Sequence, residues 1–147
     1  MSQFKGSCFA PALAKIHAQA FDEAWPESTF ISLLNLPTTI GWAHEYGFLL
    51  VSDLGETVEI LTLATLPQHQ RKGIASLLIK EMCEWAIQQK KKAIFLEVAQ
   101  DNTAAQKLYL KAGFKQTGTR SDYYKRGNIR VDAICMTLSL LTEKAEP

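Results

Sequence analysis

The sequence has 147 residues, which is the length of one ordinary domain and excludes a second sizeable one. Hydrophobic residues make up 47% and charged residues 21% of the chain, which excludes disordered, collagen-like and low-complexity proteins. The formal net charge of +1 argues against a nucleic-acid-binding protein with a strongly basic surface. The composition therefore predicts a single globular domain over residues 1–147.

The small net charge combines two halves of opposite sign. Residues 1–70 contain seven acidic residues against two basic ones, and the remainder contains eight acidic residues against 14 basic ones. Two ligands of opposite charge would explain this split, and so would two solvated surfaces that mix in the folded protein. Charge alone favours the second explanation.

No segment of the sequence has the pattern of a targeting or membrane signal. The first eight residues lack the apolar core of a signal peptide, and no run approaches ~18 consecutive apolar residues. We therefore expect a cytoplasmic protein that does not cross a membrane. Cys8, Cys83 and Cys135 are too widely spaced for a zinc site, and the three histidines have no metal-binding spacing. The sequence thus predicts free, mostly buried thiols and no bound metal.

The first part of the chain predicts two helices followed by antiparallel strands. Apolar residues recur at helical spacing over residues 13–21 and 27–34. Residues 41–50 and 56–66 are rich in β-branched and aromatic side chains and are separated by the turn sequence of residues 52–55. These two runs predict two or three antiparallel strands.

A strand–helix–strand unit follows. Residues 74–86 present one apolar helical stripe, and residues 93–99 are almost continuously apolar, as in a central strand covered on both faces. With the preceding strand they form a βαβ unit over residues 56–99, whose two strands we expect to be parallel. Asn102 is a suitable N-cap for another helix, and Gly113 is placed to end it.

The last part of the chain predicts a β-hairpin. Two strands, roughly over residues 114–123 and 130–140, are joined by the turn sequence of residues 125–128. The whole pattern predicts an α/β fold of the α+β kind, in which a mixed and mostly antiparallel sheet contains one parallel pair and is flanked by helices.

The connection between the first strand of the βαβ unit and its helix has features of an anion site. Backbone N–H groups at a helix N-terminus can bind an anion, and Gly73 would let a phosphate approach the backbone closely. Arg71 and Lys72 add positive charge. The motifs G-x-x-x-x-G-K-[ST] and G-x-G-x-x-G are absent, which excludes a P-loop and a dinucleotide-binding fold. From this segment alone, a pyrophosphate site and an ordinary connection are equally good interpretations.

Two side chains could carry proton chemistry. Glu97 interrupts the apolar strand of residues 93–99, where an unpaired carboxylate would lose several kcal/mol of hydration free energy. Its position indicates either a function or a strand end that opens to solvent. Tyr109 lies on the next helix, at the edge of the face that packs on the sheet. It is either a core residue whose hydroxyl reaches water or an acid that acts near Glu97.

Two motifs together resemble the GNAT superfamily of acetyl-coenzyme A (acetyl-CoA) dependent N-acetyltransferases. The motif Q/R-x-x-G-x-G/A is present as residues 70–75, with Ala75 in place of the more usual glycine. The motif L-E-V-x-x-x-N-x-x-A-x-x-L-Y-x-x-x-G-F is present as residues 96–114 and is similar to the RimI branch. That branch acetylates protein amino termini, chiefly the N-terminal alanine of ribosomal small-subunit protein number 18. Residues 120–124 and 132–136 are also similar to it.

The resemblance implies the GNAT fold, in which the two parallel strands splay apart at a bulge. The pantetheine arm of acetyl-CoA would insert there and bind like a short extra strand. Residue-by-residue transfer assigns acetyl-CoA binding to these positions: Leu63, Ala64 and Thr65 along the arm, Arg71, Lys72, Gly73, Ile74, Ala75 and Ser76 around the pyrophosphate, and Asn102 on the arm from the next helix.

The same transfer assigns Glu97 as the proton acceptor and Tyr109 as the proton donor. The acceptor amine would attack the thioester directly, without an acyl-enzyme. A tyrosine with a pKa of about 10 is a weak acid toward a thiolate, so we expect Tyr109 to stabilise the leaving sulfur largely by hydrogen bonding. Trp25, Tyr123 and Tyr124 correspond to regions that flank the peptide groove in this family, although core packing explains each of them equally well.

The leading hypothesis is therefore an enzyme that acetylates the amino terminus of a ribosomal protein, without nucleic-acid or membrane partners. One alternative is a GNAT enzyme that acetylates a small amine such as a polyamine or an aminoglycoside. Another alternative is a non-catalytic module that binds acyl-CoA. The presence of both Glu97 and Tyr109 argues against the last alternative, because a binding module needs neither.

Overall fold

The computed structural model describes residues 2–140, so Met1 and residues 141–147 of the predicted domain lie outside it. Within that part, the helices and strands follow in this order: β1 (Ser2–Phe4), α1 (Ala10–Ala20), α2 (Glu27–Leu34), β2 (Thr39–His44), β3 (Gly47–Asp53), β4 (Thr57–Thr65), α3 (Ile74–Gln88), β5 (Ala93–Ala99), α4 (Thr103–Lys111), β6 (Lys115–Arg126) and β7 (Ile129–Ser139). No helix between residues 2 and 140 is both long and apolar enough to cross a membrane.

All seven strands belong to one sheet, in the order β1-β2-β3-β4-β5-β7-β6. Neighbouring strands are antiparallel except β4 and β5, which are parallel and joined through α3. This arrangement confirms the predicted mixed sheet with one parallel pair. It also places β5 in the interior of the sheet, between β4 and β7.

Helices cover both faces of the sheet. Alternate residues of a strand point to opposite faces, and β3 shows this: Leu49 and Val51 pack in one core cluster, Phe48 and Leu50 in another. The first cluster contains the buried side of α3 and Tyr109 of α4, whereas the second contains the buried sides of α1 and α2. The helices α1 and α2 therefore lie on the sheet face opposite to α3 and α4.

The prediction that β5 is covered on both faces is wrong for one face. Ile94, Leu96 and Val98 are buried in the cluster beneath α3, but Phe95 and Glu97 between them are only half-buried. The cluster beneath α1 and α2 contains residues of β3 and β4 and none of β5. One face of β5 is therefore left partly open.

The N-terminal strands differ from the predicted pattern in two ways. The predicted run of residues 41–50 is divided into β2 and β3 by a tight turn, with His44 paired to Gly47. The strand β1 was not predicted, because it has three residues and is defined only by pairing with β2. A Cβ atom on Gly41 would lie 2.4 Å from the Phe4 ring, so the packing of the Phe4 side chain over β2 favours glycine at that position.

The predicted signals at the ends of α4 are confirmed. The Oδ1 atom of Asn102 accepts a hydrogen bond of 3.1 Å from the backbone N–H of Ala105, as an N-cap residue does. Gly113 follows the helix with a φ of 105°, a left-handed conformation that favours glycine.

The parallel pairing of β4 and β5 is short, and this feature creates the site. The two strands pair over three residue pairs, the last of which is Glu59 with Phe95. The register of β3 against β4 shifts between Leu50 and Val51, which leaves Leu61 of β4 as an extra residue. A β-bulge of this kind bends its strand, and β4 separates from β5 beyond Glu59.

An ion pair ties the end of α3 to the turn between β3 and β4. Lys91 Nζ lies 2.7 Å from Asp53 Oδ1 and 2.6 Å from the backbone oxygen of Gly55. The side chains of Lys91 and Asp53 are 10% and 29% exposed. Burial alone would raise the pKa of Asp53, but the hydrogen bonds from Lys91 and Gly55 outweigh it and hold that pKa below its usual range.

Replacement of Asp53 by asparagine is expected to lower the free energy of unfolding by about 1–2 kcal/mol at pH 7, because Lys91 loses its partly buried counter-ion. The lowered pKa makes this stabilisation complete above about pH 4, and it is lost as the pH falls further. Urea denaturation at pH 7 and at pH 2.5 measures both effects.

The adjacent pair of Lys92 and Glu56 provides a matched control, since its side chains are 55% and 71% exposed. Glu56→Gln is expected to leave the urea midpoint unchanged. Equal losses of stability in Asp53→Asn and Glu56→Gln would show that burial does not strengthen the Lys91 pair.

Candidate active site

A cleft of about 670 Å³ opens where β4 and β5 separate. Residues 60–63 of β4 and 96–99 of β5 line its interior, together with one side of α4. Residues between 20 and 25, which follow α1, form one rim, and residues 123–126 at the end of β6 form the other. The bulge therefore produces a cleft between two strands. The mouth of this cleft lies between the segment after α1 and the end of β6.

Glu97 of β5 lines the cleft, and its carboxylate has a counter-ion. Arg120 Nη1 on β6 donates to both carboxylate oxygens, at 3.0 and 3.1 Å. The thiol of Cys135 on β7 donates to Oε2 over 3.6 Å. The side chain of Glu97 is 20% exposed. The ion pair explains in physical terms how an apolar strand accommodates this charge.

Two tyrosines at the end of β6 support the contacts of Glu97, one by packing on Arg120 and the other by a hydrogen bond to Glu97 itself. The Arg120 guanidinium lies over the ring of Tyr123 at 4.0 Å from its centroid. The Tyr124 hydroxyl donates a hydrogen bond of 3.2 Å to the backbone oxygen of Glu97. Burial, and then the charge of Glu97, raise the pKa of Tyr124 to about 12, so this hydroxyl remains a donor at neutral pH.

A second, shallower cavity of about 320 Å³ adjoins the Glu97–Arg120 pair on the open face of β5. Glu59 lines it, and burial followed by the charge of Glu97 raises the pKa of Glu59. Cys135 also lines it, and burial followed by Glu97 raises the pKa of this thiol. A thiol with a raised pKa is a poor nucleophile at neutral pH. The three cysteines are unpaired as predicted, but the prediction that they are mostly buried is wrong, because Cys8 is exposed and Cys83 and Cys135 are only half-buried.

Tyr109 approaches the cleft from the other face of β5. Its side chain is 6% exposed and belongs to the core cluster that contains Leu96 and Val98. Glu97 lies between those two residues and therefore points to the opposite face of the strand. Burial, and secondly the neighbouring Tyr124, raise the pKa of Tyr109 above its usual range, which makes its hydroxyl a hydrogen-bond donor at neutral pH. Both Glu97 and Tyr109 line the cleft.

The residues predicted to bind acetyl-CoA occupy three environments. Leu63 and Asn102 line the cleft. Ala64 and Thr65 follow Leu63 at the end of β4 and are buried. The remaining positions precede α3 or form its first turn: Arg71, Lys72, Gly73 and Ser76 are exposed, Ala75 is half-buried, and Ile74 packs in the core.

This region of the structure fits an extended ligand with an anionic end. Beyond Glu59, residues 60–63 of β4 have no pairing with β5, so backbone groups on that edge are available to hydrogen-bond an amide-containing chain. Gly73, whose φ is 83°, is the N-cap residue of α3, and no side chain caps the first-turn N–H groups of this helix. A Cβ atom built on Gly73 meets no protein atom within 4 Å, so the approach to these N–H groups is open.

The aromatic residues predicted to bind substrate lie on the rims. Trp25 lies on the rim that follows α1, and Tyr123 and Tyr124 lie on the opposite rim. Trp25 stacks on His17 of α1, with ring centroids 5.0 Å apart and an interplanar angle of 25°. The structure thus brings all three aromatic residues to the mouth of the cleft.

Sequence reasoning missed Arg120 and His17. The position of Glu97 in an apolar strand indicated either a partner or an opening to solvent, and Arg120 could not be selected as that partner without the register of β6 on β7, which is irregular between Arg120 and Tyr124. His17 has a helical position typical of a core residue, and no pattern in the sequence distinguishes it. In the part of the chain that the structure describes, no group of three or more His, Cys, Asp or Glu side chains is arranged to bind a metal.

Comparison with known proteins agrees with this geometry. The profile of the Acetyltransferase (GNAT) family matches residues 10–114. The N-alpha-acetyltransferase RimI of Mycobacterium tuberculosis is 32% identical in an alignment of 133 residues. This alignment covers 79% of this chain and 78% of that protein. The [ribosomal protein bS18]-alanine N-acetyltransferase of Escherichia coli is 28% identical in an alignment of 135 residues. This alignment covers 88% of this chain and 90% of that protein.

Solved structures show the same fold. The crystal structure of the ribosomal-protein-S18-alanine N-acetyltransferase from Escherichia coli has a TM-score of 0.86 at 24% identity, covering 96% of this chain and 94% of that one. Arabidopsis thaliana NAA60 in complex with acetyl-CoA has a TM-score of 0.80 at 18% identity, covering 95% of this chain and 99% of that one. The chain therefore belongs to the GNAT family of acetyltransferases and is an N-acetyltransferase.

Proposed function

We propose that this protein transfers the acetyl group of acetyl-CoA to the N-terminal α-amine of a protein, and that the acceptor is the N-terminal alanine of a ribosomal small-subunit protein. The observation that carries the proposal is one cleft that is lined by the unpaired residues 60–63 of β4 and by Glu97, with aromatic residues on both rims. The uncapped first turn of α3, which follows β4 in the chain, supports an anionic cofactor. The relatives named for acetylation of a ribosomal protein alanine support the choice of acceptor.

Residues 60–63 of β4 and the first turn of α3 would bind acetyl-CoA. The free edge of residues 60–63 pairs with the amides of the pantetheine arm. The first turn of α3, with Arg71 and Lys72 beside Gly73, binds the pyrophosphate through backbone N–H groups and positive charge. When bound, acetyl-CoA supplies an acetyl group activated as a thioester, which passes directly to the acceptor nitrogen while the CoA thiol leaves.

Glu97 receives the proton that the acceptor ammonium must lose before attack. An α-amine has a pKa of about 7.7–8.0, whereas that of a lysine side chain is about 10.4, so an amino terminus loses its proton far more readily at neutral pH. Arg120 keeps the carboxylate in place at the cleft. Because Cys135 has a raised pKa and lies beside this carboxylate, direct transfer is favoured over an acyl-enzyme on that thiol.

Tyr109 stabilises the departing sulfur from the opposite face of β5. Its raised pKa makes complete proton transfer unfavourable but keeps the hydroxyl available as a donor. A preorganised donor directed at developing negative charge stabilises a transition state. Most of the remaining acceleration comes from holding the amine and the thioester in line.

The first test is an acetyl-transfer assay followed by mass spectrometry. An alanine-headed basic peptide is expected to gain one acetyl group on its α-amine. The same peptide with a blocked amino terminus and a free lysine is expected to gain none, because the lysine amine is almost fully protonated at neutral pH. Acetylation of a polyamine without acetylation of the alanine-headed peptide would overturn the proposal in favour of a small-amine acetyltransferase.

The second prediction concerns the two proposed catalytic residues. Glu97→Gln is expected to lower kcat/KM for the peptide by about 10²–10³, and Tyr109→Phe by about 10–10², since each removes one proton-handling group. Calorimetry is expected to show unchanged affinity for acetyl-CoA in both variants.

Two conservative variants outside the cleft serve as controls. Glu84→Gln removes an exposed carboxylate of α3, and Tyr46→Phe removes the hydroxyl of a tyrosine that stacks on His69. Both are expected to retain the activity of the unmodified protein. Full activity of Glu97→Gln and Tyr109→Phe would show that neither residue is catalytic.

The third prediction concerns Gly73. Alanine there adds a Cβ atom to the proposed phosphate cradle and is expected to weaken acetyl-CoA binding about tenfold, measured by calorimetry. Gly55 is a matched control, because its φ is 97° and a Cβ atom there also meets nothing within 4 Å. Both alanine variants should lose similar stability through backbone strain. If Gly55→Ala weakened binding equally, strain rather than the cradle would explain the result.

A further inference from the structure

His17 is a buried polar side chain that the mechanism does not use. It lies in the last turns of α1 and is 3% exposed. Its Nδ1 atom accepts a hydrogen bond of 3.1 Å from the backbone N–H of Trp25. Its Nε2 atom lies 3.2 Å from the Thr62 hydroxyl on β4. Because a backbone N–H can only donate, Nδ1 is unprotonated, and the ring proton is on Nε2 and is donated to Thr62.

The imidazole therefore connects two parts of the cleft that are far apart in sequence. Trp25 belongs to residues 21–26, which we call the acceptor loop and which leave α1 after Ala20. Thr62 follows Leu61, which is the extra residue of the β4 bulge. Among residues 2–140, no other hydrogen bond joins the acceptor loop to the sheet. His17 thus provides the hydrogen-bonded link between the loop and β4, in addition to the packing of Phe21 and Trp25 against the core.

Aromatic contacts hold the imidazole in this bridging position. Its ring packs against Phe21 at 4.5 Å and Trp25 at 5.0 Å, both in the acceptor loop, and against Phe30 of α2 at 5.3 Å. Burial lowers the pKa of His17 to about 4, so the ring is neutral at physiological pH and Nδ1 is free to accept. An apolar side chain would fill the same space but would leave the Trp25 N–H without this acceptor.

We propose that His17 is a positioning residue for the acceptor, because it fixes the acceptor loop against the β4 bulge and so sets the width of the cleft mouth. The loop carries Asp22, Glu23 and Trp25 on the rim to which the proposed function assigns the acceptor amine, whereas residues 71–76, proposed to hold the pyrophosphate, are not among the residues that line the cleft. Loss of the link should therefore affect acceptor binding selectively. The inference rests on the proposed function only in assigning this rim to the acceptor.

The test uses three substitutions of His17 in the full-length protein with acetyl-CoA and the acceptor amine that gives the highest activity. His17→Leu fills the volume without hydrogen bonds and is expected to raise the acceptor KM about tenfold, while the KM for acetyl-CoA changes less than twofold. The Oδ1 atom of asparagine can replace Nδ1, so His17→Asn is expected to restore the acceptor KM in part. Glutamine replaces Nε2 instead, so His17→Gln should rescue less.

His44 provides a matched control. Its Nδ1 atom also accepts a backbone N–H, that of Tyr46 over 3.2 Å, and it lines neither cavity. His44→Leu is expected to leave both KM values unchanged. An unchanged acceptor KM in His17→Leu would overturn the proposal. A parallel rise in both KM values, or a fall in kcat alone, would do the same, because it would indicate a general structural or a catalytic role.

A measurement without substrate keeps the inference separate from the proposed function. Hydrogen exchange of the Trp25 backbone N–H is expected to be slow in the unmodified protein and at least tenfold faster in His17→Leu. If the leucine variant does not fold, Thr62→Val removes only the partner of Nε2 and should also raise the acceptor KM and the Trp25 exchange rate. Unchanged exchange would refute the link itself. Failure of every peptide as acceptor, with the exchange result as expected, would refute the proposed function alone.

Discussion

The organisation of this molecule depends on the short parallel pairing of β4 and β5. Backbone N–H and C=O groups require partners, and beyond Glu59 and Phe95 neither strand provides them to the other. The separation leaves the interior of a sheet open to a ligand without removing any helix from the core. It also allows β5 to contribute side chains to the cleft from both faces. Glu97 on one face and Leu96 and Val98, the neighbours of Tyr109 on the other face, therefore line the same cleft.

The two oppositely charged halves of the sequence were interpreted either as two ligand sites or as two solvated surfaces, and the structure supports a combination of internal ion pairs and charges at the cleft. Lys91 with Asp53 and Lys92 with Glu56 join bases of the second half to acids of the first, so part of the split is internal pairing. Another part faces the cleft. Asp22 and Glu23 of the first half lie on one rim, whereas Lys125 and Arg126 of the second half lie on the opposite rim.

Elements with strong local signals were predicted well from the sequence. The helices α3 and α4 and the strand β5 appear where predicted, because Gly73, Asn102 and Gly113 fix the helix ends through local backbone chemistry. The GNAT fold and family were predicted from two motifs and are confirmed. The contacts of Glu97 and His17 could not be predicted, since they depend on strand register. That register contains irregularities in β3–β4 and in β6–β7, which no local pattern reveals.

The placement of the rims has a consequence for how such proteins diverge. Each rim is a short contiguous stretch of chain, one between α1 and α2 and the other at the end of β6. In the proposed function, these two stretches carry acceptor recognition, whereas Glu97 and Tyr109 carry the chemistry. Exchange of these two stretches between homologues offers a route to new acceptor preferences with an inherited catalytic framework.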